Sequence, residues 1–170
     1  MAVNLSIEKH GWAYPSKVLA ALGGKYIHNI TLSKDHDNGD VVGRGDFIEL
    51  DRYAEGDATE VEAKIVATAP NKNFYVEIVN PGDALIVRQV PVIEYEFNRD
   101  IKQEDSFYNE KNDTVRGYEL AKGDIWEMSA SCFSEEVEVG DSVTATNGKW
   151  KKKTASSGGG TSAGEGGGKQ

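Results

Sequence analysis

The chain has 170 residues, a net charge of −9 and a single cysteine. That length accommodates one hydrophobic core with appendages, and the acidic balance argues against a nucleic-acid partner, whose phosphates would call for a basic face. A lone cysteine excludes an intrachain disulfide, and no apolar run approaches the length of a membrane span.

The charge is unevenly spread. Residues 151–170 hold Lys151, Lys152, Lys153 and Lys169 against Glu165, so residues 1–150 alone carry −12. The opening MAVNLSIEKHGW lacks the basic region and apolar core of a signal peptide, which predicts synthesis and assembly in the cytosol. Residues 1–25 do not resemble a strand-rich core segment. Gly11, Pro15, Gly23 and Gly24 punctuate them and leave Ser16–Leu22 as a two-turn helix at most, so they are expected to form an arm whose Trp12 and Tyr14 are either pinned against the protein's own sheet or presented to a partner.

Strand signals begin at Tyr26, with Tyr26, His28, Ile30 and Leu32 on one face and Asn29 and Thr31 on the other. The loop Ser33–Asp40, SKDHDNGD, is expected to be a solvated turn. Its aspartates lack the glycine and terminal glutamate of a calcium loop, and His28 and His36 lack zinc spacing, so no metal is expected. Val41–Leu50 resumes as strand or hairpin, with Gly43 and Gly45 predicting a bulge or tight bend. Arg44-Gly45-Asp46 spells the tripeptide read by adhesion receptors, and is taken as a chance match.

Val61, Ala63, Ile65 and Ala67 alternate with charged residues as a further strand, and Phe74, Val76 and Ile78 mark the next. Ala84–Val90 reads as a more fully buried apolar run. Val92–Phe97 alternates Ile93, Tyr95 and Phe97 with Glu94 and Glu96, the most strongly patterned strand in the chain. Asn98–Val115 is polar and charged, anchored by Phe107 and Tyr108; a loop this long inside a compact domain predicts a contact surface.

In the stretch Arg116–Trp150, Trp126, Met128, Ala130 and Cys132 alternate with Glu127, Ser129 and Ser131, placing Cys132 as a small packed hydrophobe on a strand. Val137 and Val139 alternate with glutamates in a short strand. Asn147-Gly148 predicts a two-residue type I′ turn that sets Ala145 opposite Trp150. Beyond Lys153 the Gly/Ser-rich sequence has no apolar content to fold and is expected to be a flexible tail.

Six Gly-Asp pairs, at 39, 45, 56, 82, 123 and 140, punctuate the chain at uneven intervals, which excludes a repeat architecture. The predicted fold is all-β: a small barrel or sandwich of about nine short antiparallel strands over 26–153, with an N-terminal arm (1–25) and a disordered tail (154–170). Paired carboxylates such as Glu94 with Glu96 and Glu136 with Glu138 share strand faces without a cleft between them. No nucleophile elbow, Walker loop, dinucleotide fingerprint or His-Glu-x-x-His is present. Neither an enzyme nor a cofactor is expected.

Tyr26-Ile27-His28-Asn29 followed by Asp37-Asn38-Gly39, then Arg116–Leu120, then Val139–Asp141 with Asn147-Gly148, resembles the head decoration (capsid cement) proteins of tailed bacteriophages over most of residues 24–150. The resemblance implies a structural virion protein on the capsid surface, made in the host cytoplasm. Its partner would be the major capsid protein, and it would stabilise the expanded shell. It also implies clustering as a homotrimer, for which the residues themselves carry no signal. Residues 1–25 and 99–115 are then the expected docking segments, with Trp12, Tyr14, Lys17, Phe107 and Tyr108 as capsid contacts. The alternatives are a tail or adaptor subunit of the virion, or a β-sandwich module binding carbohydrate or a host surface through Trp12, Trp126 and Trp150.

Overall fold

The structure, a computed structural model, describes residues 6, 8–22, 24–90 and 104–154. The described residues form eleven strands: β1 Ala13–Lys17, β2 Ile27–Thr31, β3 Val41–Phe47, β4 Arg52–Gly56, β5 Val61–Ala69, β6 Asn73–Asn80, β7 Ala84–Val87, β8 Thr114–Glu119, β9 Ile125–Met128, β10 Ser142–Ala145 and β11 Lys151–Lys152. β2, β4, β3, β7 and β8 close a five-stranded barrel, and β1-β9-β6-β5-β10-β11 form a six-stranded antiparallel sheet. The all-β prediction is correct, and the barrel comes with a packed sheet. One pairing departs from the antiparallel expectation: β2 runs parallel to β4. Strand directions cannot alternate around a closed ring of five, so at least one parallel neighbour is required.

The two layers explain why some strands alternate and others do not. Ile30, Leu32, Val42, Leu85, Val87 and Val115 fill the barrel interior with Tyr53 packed against them. Val41, Ala84 and Ile86 point the other way, into the larger core shared with Val61, Ala63, Ile65, Val76, Ile78, Trp126, Met128, Val143 and Trp150 of the sheet. β7 is therefore buried on both faces and reads as a continuous apolar run. β5 and β6 have one wet face and alternate.

Four turns share one construction. In 37–40, 110–113, 121–124 and 138–141 the aspartate N–H bonds back to the first residue's carbonyl, and the aspartate carboxylate accepts the first residue's N–H. The third residue is left-handed in each: Gly39, Asn112, Gly123 and Gly140, with φ of 98°, 71°, 89° and 100°. Three Gly-Asp pairs are thus self-capped turns. The pairs at 45 and 56 act differently, because their glycines let β3 and β4 press together: a Cβ on Gly56 would lie 2.7 Å from the Gly45 nitrogen. Arg44-Gly45-Asp46 lies within strand β3. Gly43 is tighter still, since a Cβ there would come within 2.3 Å of the Asp57 backbone. Gly43→Ala is expected to cost about 3 kcal/mol through forced backbone displacement, read as a lower urea midpoint at unchanged m.

Several local expectations are corrected. The arm is not free of the sheet: Ala13–Lys17 is its outer strand, paired with β9, and Pro15 is tolerated there because an edge position needs no second amide bond. Leu19–Leu22 is a single 3-10 turn in place of a two-turn helix. The Trp126 strand ends at Met128, and Ala130–Cys132 forms a 3-10 turn that still buries Cys132. Val137 and Val139 lie in irregular backbone, Val137 buried and Val139 exposed. Val143 pairs with Lys152 and Thr144 with Lys151, the register expected for Ala145 opposite Trp150. In the turn itself only Gly148 has positive φ, so it is not type I′. The Val92–Phe97 strand and the Gly/Ser tail lie outside the described residues.

Candidate docking surface

The two segments assigned to docking meet. Ser6 N–H donates to Ser106 O at 3.0 Å and His10 N–H to Asp105 O at 2.8 Å, while Lys9 forms an ion pair with Asp105. The His10 ring stacks on Tyr108 at 5.0 Å. Further along, Trp12 and Ser129 exchange bonds: Ser129 N–H donates to Trp12 O, and Trp12 N–H to Ser129 Oγ. The Trp12 ring lies 4.9 Å from Tyr14, and the Arg88 guanidinium sits over Tyr14 at 5.2 Å while donating to Ala13 O.

The Asp-rich loop is what holds these segments, and it is not the solvated turn expected. His36, Asp37, Asn38 and Asp40 are all buried. Asp37 accepts from Gly11 N–H and faces His10 Nδ1 at 2.6 Å and Lys149 Nζ at 3.1 Å, which fixes the arm. His36 and Asn109 exchange backbone bonds, Asn109 Nδ2 donates to Asn38 Oδ1, and Lys111 N–H donates to Asp35, which fixes the acidic loop. Asn38 also pairs through its amide with Gln89, beyond the end of β7. His36 is clamped between Asp40 and Glu55, at 2.9 Å from each. These bonds offset much of the cost of burial, while His10 Nε2 and Asp40 Oδ1 are buried with no hydrogen-bond partner. Burial also pushes the Cys132 thiol up to about 12, leaving it a packed, protonated side chain whose Sγ donates to Trp12 O.

Of the residues predicted to contact a capsid, Trp12, Tyr14 and Tyr108 are half-buried, and Lys17 is exposed on the edge strand. Phe107 is buried, so it anchors the loop and is not presented. Trp126 and Trp150 are fully buried, which removes two of the three platforms of the carbohydrate reading. His10 and Arg88, which sequence reasoning missed, complete the surface. Among the described residues no group of three or more His, Cys, Asp or Glu side chains is arranged to hold a metal ion, and no helix is long and apolar enough to cross a membrane. No family model, curated protein or solved structure matches the chain.

Proposed function

We propose that this chain is a structural virion protein that binds the outside of a phage capsid and stabilises the expanded shell. The observation that supports it is the union of the arm with the acidic loop on one buried polar hub. The arm, whose β1 is the outer strand of the sheet, and the acidic loop are joined into one surface edged by Trp12, Tyr14 and Tyr108. Aromatic side chains held this way make interface anchors, because little rotamer entropy is lost when a partner covers them. Binding only the expanded form would add RT ln(1 + [L]/Kd) per site against disassembly, about 2.7 kcal/mol at a hundredfold excess over Kd.

Co-sedimentation with shells lacking this protein, before and after expansion, tests the reading. The unmodified chain is expected to pellet with expanded shells, and Tyr14→Ala with Tyr108→Ala to bind about tenfold or more weakly. Failure to pellet with either shell form refutes decoration, and undiminished binding by the double variant refutes the arm-and-loop surface. Deleting the arm is the poorer test, because it removes β1 and uncovers the edge of β9.

A further inference from the structure

The turn between β3 and β4 breaks two rules at once. Phe47, Ile48 and Leu50 are 59 %, 47 % and 81 % exposed, a cluster of large apolar side chains at one tip, not the scattered singles of an ordinary surface. Leu50 and Asp51 have φ of 53° and 58°, the paired left-handed conformation of a type I′ turn, which Asn-Gly fills readily and leucine does not. The tip is nonetheless well formed. Ile48 N–H donates to Arg52 O at 2.8 Å and Arg52 N–H to Glu49 O at 3.1 Å, and Phe47 packs edge-on against Tyr53 at 5.5 Å. Strain retained beside exposed apolar surface marks a position kept for something other than stability.

We propose that this tip is a second docking element, which inserts Leu50 and Phe47 into an apolar pocket rimmed by lysine or arginine on the capsid shell. The proposal rests on the decoration reading and adds a contact to it. The rim follows from charge: Asp46, Glu49 and Asp51 flank the apolar residues in the chain, while the basic residues of the same hairpin, Arg44 and Arg52, face Glu119 and Glu49 in ion pairs. The same charges disfavour a second copy of this chain, itself at −9, and an anionic lipid surface.

Leu50→Asn combined with Asp51→Gly installs the residues the turn prefers, so a folding defect cannot imitate a binding defect. The double variant is expected to melt higher than the unmodified protein and to co-sediment with expanded shells about tenfold more weakly. Binding of the unmodified protein is expected to weaken as salt is raised. Equal binding by variant and unmodified protein overturns the tip while leaving decoration intact, and shells that take up neither overturn both. Salt-independent binding overturns the basic rim. A free protein that self-associates through Leu50, and is made monomeric by the double variant, overturns the shell as occupant.

Discussion

Replacing Trp150 by alanine is expected to cost about 4 kcal/mol, the range for a large buried aromatic, and to lower Tm by about 12 °C. The ring is fully buried in the core between sheet and barrel. Its indole N–H donates to Gly39 O at 3.0 Å, at the turn of the buried polar loop. Its backbone closes the neighbouring segment as well, with Trp150 N–H to Cys132 O and Ser134 N–H to Trp150 O. Truncation therefore opens a cavity and leaves a buried carbonyl unpartnered. Trp150→Phe separates the two effects: it keeps most of the packing, and losing the N–H alone is expected to cost about 1–2 kcal/mol. Urea denaturation at unchanged m reads both. A loss within about 1 kcal/mol for the alanine variant would show that the junction repacks without the ring.

The same junction shows which features the sequence carried. Strands with one wet face were legible: Val61, Ala63 and Ile65, or Trp126 and Met128, announce their inward side by alternation alone. The self-capped turns at 121–124 and 138–141 were legible in Gly-Asp, because glycine supplies the left-handed third position and aspartate the cap. The Asp-rich loop was misread because composition reports polarity, not partners. His36, Asp37, Asn38 and Asp40 are buried by bonds to residues distant in sequence, such as His10, Gln89 and Asn109. β1 was missed because proline and nearby glycines mask an edge strand that needs only one set of amide bonds. The β3–β4 tip left one readable trace, Phe47 and Ile48 side by side where a half-buried strand would alternate.

Stability is expected to fall on the alkaline side because of His36. Both ring nitrogens face carboxylates, Asp40 Oδ2 and Glu55 Oε1, so only the imidazolium can donate to both. Burial opposes the charge, but the hydrogen bonds and negative charges of Asp40 and Glu55 outweigh it and raise the His36 pKa above 6.5. For Glu55, burial is likewise outweighed, by the Ser33 N–H and hydroxyl and by His36, and its pKa lies below 4.5. A raised histidine pKa gives stability that is complete below 6.5 and lost as pH climbs through the folded value. A depressed glutamate pKa gives stability that is complete above 4.5 and lost as pH drops through the folded value. Both contributions are therefore present together between pH 4.5 and 6.5. His36→Asn is expected to cost about 3 kcal/mol there, because it leaves two buried carboxylates without their cation, and to flatten the alkaline decline. His10 and His28, which face Asp37 and Glu119, remain in the variant, so the difference between the two proteins isolates His36. Urea unfolding across the pH range decides it: a variant that keeps the alkaline slope would assign the titration elsewhere. Because the His36 loop also fixes the arm through Asp37 and the acidic loop through Asn109, that loss should register first as weakened order in the candidate docking surface, read by amide exchange at His10 and Asn109.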